Sequence, residues 1–266
     1  MVQDNKQAAR VVFEVWSSGQ LERLDAVVAP HVVHHDPYDL HDAEGLAGMG
    51  KTAVAERIAS ELGRAELVVA LDLTGEYSRR LGFPAWQQNL DAIGRSVYEP
   101  VGDPTLRATE LVNQLMQHAA QEFQANHQPR PRNVLFEEAH SFIPEWNFVT
   151  LNQRDNVNDT TRMIMQARKY GLRFIIVSQR TAVVSKSGLS QCDNYIVCRT
   201  IDHTGLEYIE SLSGTAFRDT LSNLRKYEAL CMGPAFNSDQ PVSIELDPPP
   251  AVVEVGPAPL AGHEAV

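Results

Sequence analysis

The residues Gly45-Leu46-Ala47-Gly48-Met49-Gly50-Lys51-Thr52 follow the spacing G-x-x-x-x-G-K-T. Each residue type in that pattern has a task at a chain of phosphates. Glycines let consecutive backbone N–H groups curl around the oxygens, a lysine reaches the outer phosphates, and a threonine hydroxyl supports a divalent cation. The pattern runs into Ala53 to Leu62, which reads as a helix whose N-terminus adds partial positive charge where the anion would sit. The nucleotide-binding set expected on this ground is Gly45, Gly48, Met49, Gly50, Lys51, Thr52 and Ala53, with ATP or GTP as the ligand.

Three other groups follow apolar runs or helical segments. Val134-Leu135-Phe136 ends in Glu137-Glu138. One carboxylate of such a pair supports Mg²⁺ through its water shell, and the next polarises the water that attacks the terminal phosphate; a pair of solvated acids is the plain alternative. Phe174-Ile175-Ile176-Val177 ends in Ser178-Gln179-Arg180. A glutamine amide beside a γ-phosphate hydrogen-bonds both water and phosphate and so reports which nucleotide is present. Arg168 closes a helical segment; its guanidinium either reaches phosphate, in its own subunit or a neighbour's, or simply complements the helix dipole. His34-His35-Asp36 is read as structural, because adjacent residues on a strand point to opposite faces.

Positioning these groups requires a sheet. Leu67 to Leu71 is a continuous apolar run before Asp72, as expected of a parallel strand covered on both faces. The runs before Glu137 and Ser178, Tyr195 to Cys198, and Ala229 to Met232 repeat it. Helical patterns fill the gaps at about 106–125, 157–170 and 206–213. The alternation predicts an α/β fold with a three-layer sheet and ligand chemistry at the carboxyl ends of the strands. Upstream, an amphipathic helix is expected over about 5–17 and a short helix over 21–28, then a strand or turn from His31 to Pro37 and a polar loop to Glu44. No anchoring strand is expected before Gly45, since the nearest apolar pair, Val32-Val33, lies twelve residues upstream. Residues 247–266, rich in Pro, Ala, Val and Gly, predict a disordered tail.

The chain has 266 residues, 43% of them hydrophobic, enough for a sizeable core. It lacks an apolar run of about 18 residues, and its first ten residues are polar, so a cytoplasmic chain without a membrane partner is expected. Three cysteines without C-x-x-C spacing argue against a disulfide framework or a zinc site. The net charge of −11 argues against a generic nucleic-acid coat, but much of it comes from the two ends: residues 1–44 hold eight acids and three bases, and 247–266 hold three acids and no base. A nearly balanced centre leaves room for a local basic ring around DNA.

Five motifs stand in order: Leu71-Asp72-Leu73-Thr74-Gly75-Glu76-Tyr77-Ser78, Phe136-Glu137-Glu138-Ala139-His140, Gln166-Ala167-Arg168-Lys169-Tyr170-Gly171-Leu172, Val177-Ser178-Gln179-Arg180 and Leu189-Ser190-Gln191-Cys192-Asp193-Asn194. Together they resemble the HerA-like ATPases, the HerA/FtsK branch of P-loop motors, over about 48–246. That resemblance implies a RecA-like core, ATP and Mg²⁺, a homo-oligomeric, hexameric ring, translocation or unwinding of double-stranded DNA, and a nuclease as a candidate partner. By match to its motifs, Lys51 and Thr52 bind nucleotide and Mg²⁺, Glu137 takes the Walker B metal position, Glu138 is the catalytic base, Gln179 the sensor and Arg168 a candidate arginine finger.

The first 48 residues are similar instead to the opening of SnoaL-like polyketide cyclases, through Asn5-Lys6, Phe13-Glu14-Val15-Trp16, Gly19-Gln20-Leu21, Val28-Ala29-Pro30, Val33-His34-His35-Asp36-Pro37 and Gly45-Leu46-Ala47-Gly48. The expected division is a SnoaL-like fragment over 1–44, an ATPase core over 45–246 and a tail over 247–266. The alternatives to a motor are a nucleotide-binding or assembly module without turnover and, from the cyclase resemblance, a small-molecule cyclase.

Overall fold

A computed structural model describes residues 31–34, 49–199, 203–225, 227–238 and 240–246. The helices expected over 5–17 and 21–28, the glycines Gly45 and Gly48, and the tail from 247 lie outside them. Eight strands form one sheet: β1 (His31–His34), β2 (Leu67–Leu71), β3 (Gly94–Tyr98), β4 (Arg132–Phe136), β5 (Leu172–Ser178), β6 (Asn194–Cys198), β7 (Glu228–Met232) and β8 (Val242–Glu245). Their order is β3-β2-β4-β5-β1-β6-β7-β8. The strands from β3 through β6 in that order are parallel, and β7 and β8 continue the sheet antiparallel.

The helices are α1 (Met49–Leu62), the single turn α2 (Glu76–Arg79), α3 (Pro104–Asn126), α4 (Leu151–Ala167), the turn α5 (Lys186–Leu189), α6 (His203–Ser213) and α7 (Arg218–Asn223). Alternation along each strand sorts the apolar runs onto two faces. Leu67, Val69, Leu71, Val134, Phe136, Phe174 and Ile176 enter a core shared with α3, α4 and α6. Val68, Ala70, Leu135, Ile175 and Val177 enter a second core with Ala55, Ile58, Ala59 and Leu62 of α1. The result is the expected three-layer α/β architecture, with a parallel sheet between helices. Each large apolar side chain so buried contributes roughly 1.5–3 kcal/mol before entropic costs.

Local signals place the long helices. Asp103 caps α3, its carboxylate accepting from Thr105 N, with Pro104 at the first helical position. Thr150 and Gln153 form a capping box on α4, and Gly171, at φ 71°, turns the chain from α4 into β5. The cysteines Cys192, Cys198 and Cys231 are free and buried, as expected.

One expectation is corrected. A strand does lie upstream of α1 in the sheet: the backbone of His31–His34 runs between β5 and β6, parallel to both, with His34 in register with Ser178 and Val197, while residues 35–48, which carry the first part of the phosphate loop, lie outside the described residues. The objection from distance presumed a tight strand-loop-helix turn, whereas a longer segment, 35–48, joins β1 to α1. Residues of the N-terminal 44 therefore contribute one of the two middle strands of the sheet. Two strands escaped the sequence reading, β3 and β8, both at sheet edges with few buried side chains.

Candidate active site

The carboxyl ends of β2, β4, β5 and β1 come side by side, Leu71 opposite Phe136, Phe136 opposite Ile176, and Ser178 opposite His34. Whatever follows each strand therefore converges. After β4 come Glu137 and Glu138, after β5 comes Gln179, and the first turn of α1 brings Lys51 and Thr52, both buried. Ala53 is half-buried on the same turn.

Lys51 is the hub. Its ammonium donates to Glu137 Oε1 at 3.1 Å and to Glu138 Oε1 at 2.6 Å. Burial by itself would strip the charge from this lysine, but the two carboxylates outweigh it and raise its pKa above the ordinary lysine value. Glu137, also buried, is pushed up by desolvation, against the opposing pull of Lys51. Glu138 goes the other way: despite its desolvation, His140 and Lys51 bring it down to about 2, so it is ionised at neutral pH. The Nδ1 atom of His140 lies 3.3 Å from Glu138 Oε2 without hydrogen-bond geometry.

Glu138 occupies the left-handed region, φ 51° and ψ 56°. A non-glycine residue there carries roughly 1–2 kcal/mol of steric strain, and such strain gathers at functional sites. The twist ends the strand and turns Glu138 away from the direction a continuing strand would give, so that two consecutive carboxylates both reach Lys51.

A loop not singled out for chemistry in the sequence completes the cluster. Asp72, buried at the end of β2, accepts from Thr74 N at 2.7 Å, Thr74 Oγ1 at 2.6 Å and Tyr77 N at 2.9 Å. The Tyr77 hydroxyl donates to Glu137 Oε2 at 2.9 Å. An Asp ending an apolar strand, with Thr two residues on and Gly75 at φ 70°, is the sequence signal of such an Asx-turn.

Arg168 is not with the others. It stands in the turn before β5, 78% exposed, and pairs with Asp193, just before β6, at 3.2 Å. Seven strand residues, a span of roughly 20 Å, separate that edge of the sheet from the Lys51 cluster. In this chain Arg168 therefore lies away from the Lys51 cluster.

A buried ammonium, a buried hydroxyl and two carboxylates at the start of a helix and the ends of parallel strands are the donor set that a magnesium-bound nucleoside triphosphate requires. Fold and site together are those of a P-loop ATPase, and the chain is similar to the HerA-like ATPases. The particular relatives sharpen that statement. The chain is 27% identical over 119 residues to the probable helicase MJ1565 of Methanocaldococcus jannaschii, a match over 44% of this chain and 22% of that protein. It is 29% identical over 108 residues to the DNA double-strand break repair helicase HerA of Pyrococcus furiosus, over 40% of this chain and 19% of the relative. The matched region thus spans about a fifth of each curated relative. Among solved structures, the genome packaging NTPase B204 from Sulfolobus turreted icosahedral virus 2, in complex with ATP-gammaS, aligns with a TM-score of 0.54 at 13% identity, covering 82% of this chain and 97% of that one. No protein-family profile matches the chain. Among the described residues no helix is long and apolar enough to cross a membrane.

Proposed function

We propose that the chain hydrolyses ATP as the motor core of a HerA-like ring acting on double-stranded DNA. The observation that supports this most is the shared hold of Glu137 and Glu138 on the buried Lys51 ammonium, at the point where β1, β4 and β5 end. When a triphosphate enters, Lys51 exchanges a carboxylate for phosphate oxygens, and Glu138 is released to face the attacking water. That water's oxygen bonds to the γ-phosphorus, its proton passes to the ionised Glu138, and the bond to the β-phosphate oxygen breaks, giving ADP and inorganic phosphate. Thr52 and Glu137 would hold Mg²⁺, which supplies charge neutralisation of the phosphates. Gln179, at the end of β5, is assigned as the γ-phosphate sensor.

Arg168 is assigned to a neighbouring subunit's nucleotide, as its exposure on the opposite edge of the sheet favours. The ring, hexameric in this reading, thereby becomes part of each catalytic site. DNA as substrate is suggested by the two helicase relatives, and a nuclease is the candidate partner that the motif resemblance implies. The alternative of a nucleotide-binding module without turnover rested on the lack of a strand before the phosphate loop, and the place of β1 beside β5 favours the motor reading.

The test is ATP hydrolysis with Mg²⁺, with and without double-stranded DNA. Lys51→Ala and Glu138→Gln should each lower the rate by about 10²-fold or more, the loss typical when a transition-state charge partner is removed. Hydrolysis undiminished in Lys51→Ala would end the assignment.

A further inference from the structure

We infer that Tyr77 is the positioning residue that fixes the metal-side carboxylate of Glu137, acting through a relay that begins at Asp72; the inference rests on the nucleotide site proposed above. Each oxygen of Glu137 has its own donor: Lys51 Nζ on Oε1 at 3.1 Å and Tyr77 Oη on Oε2 at 2.9 Å. With both oxygens tied, the plane of the carboxylate is set. Lys51 must also serve phosphate, so the Tyr77 bond is the one able to hold Glu137 throughout a turnover cycle.

Packing does not account for the hydroxyl. Tyr77 is fully buried in the apolar cluster with α1, its ring edge-on to Phe83 at 5.1 Å, and phenylalanine would fill that space equally well. The polar atom is there for one partner.

Tyr77 is in turn held by backbone. Asp72 accepts from the Tyr77 amide at 2.9 Å and from both the amide and the hydroxyl of Thr74, so the loop from 72 to 77 is one hydrogen-bonded unit. The strand that carries Asp72 is in register with the strand that carries Glu137, Leu71 opposite Phe136, and Glu137 N donates to Leu71 O at 3.0 Å. The relay therefore spans two adjacent strand ends without a flexible link.

Groups that orient a metal ligand typically change metal affinity by about 10–100-fold when removed. The experiment compares wild type with Tyr77→Phe by calorimetric titration of ADP in EDTA, then by titration of Mg²⁺ into the ADP complex. The expected result is an ADP affinity in EDTA within about twofold of wild type and a Mg²⁺ midpoint raised about tenfold or more. A folded Tyr77→Phe variant with an unchanged Mg²⁺ midpoint overturns the proposal and leaves the nucleotide site standing. If wild type itself binds ADP without any response to Mg²⁺, or binds none, the nucleotide reading falls and this one with it. Should Tyr77→Phe fail to fold, Thr74→Val carries the test, with a smaller rise of the Mg²⁺ midpoint expected and no rise counting against the relay.

Discussion

Three carboxylates show how differently one residue type behaves in this molecule. Glu138 and Glu122 are both held at about 2, the first by His140 and Lys51 against its desolvation, the second by the Arg132 side chain that it accepts from at 2.7 Å. Glu137 is raised by burial. Groups whose folded values lie below those of the unfolded chain stabilise fully above the unfolded value, near 4.5, and lose that contribution as pH falls toward 2. Glu137 acts in the opposite sense, its burial cost growing as pH rises through its raised value. The Glu122→Gln variant is therefore expected to lower the unfolding free energy from urea titration at pH 7, by about 1.5–3 kcal/mol for a hydrogen bond to a charged group, and to converge with wild type as pH approaches 2. Equal losses at both pH values would disprove the charge assignment. At this scale the sequence was legible where chemistry repeats in short motifs, as with Lys51, Thr52, Glu137 and Glu138. It was silent on Tyr77, because a contact across sixty positions arises only once β2 and β4 lie side by side.

Among the elements, legibility followed burial on two faces. The strands β2, β4, β5, β6 and β7 are read directly from continuous apolar runs. The edge strand β3, Gly-Arg-Ser-Val-Tyr, buries only Val97 fully and offers no such run. Four-residue β1 has two apolar residues between histidines, too short a pattern to be told from a turn. Yet β1 is hydrogen-bonded on both sides, and proline in a central strand removes a ladder donor. Val33→Pro is expected to abolish the cooperative thermal transition measured by circular dichroism; retention of a wild-type melt would show that β1 is dispensable. In the core, Phe174 stacks on Phe136 with centroids 6.0 Å apart and planes 6° from parallel. Phe174→Ala should cost about 3–5 kcal/mol in denaturant unfolding, the range for deleting a buried aromatic ring.

For the whole molecule, the separation of Arg168 from Lys51 is decisive. If the proposed ring is right, Arg168→Ala is inactive because it fails its neighbour, and Lys51→Ala because it fails itself. Mixing the two dead variants then creates interfaces in which an intact Lys51 faces an intact Arg168. Part of the ATPase activity should return on mixing, at a level set by the ratio of subunits, and no recovery in co-assembled protein would exclude the assignment in trans. The sequence could name Arg168 as a candidate but not its target, since the choice depends on which end of a parallel strand it precedes.

The position of β1 also bears on how the chain is made. His31 is synthesised early, but its two neighbours in the sheet, Ile175 and Asn194, are added far later. At a translation rate of about 5–20 residues per second, the nascent strand waits on the order of ten to thirty seconds for both partners. Until then the β2–β4 region emerges with one flank open, and closure depends on contacts of large sequence separation, which fold slowly. The strand at the centre of the proposed nucleotide site is thus made long before both of its partners, so the site is expected to close only once β6 has been made.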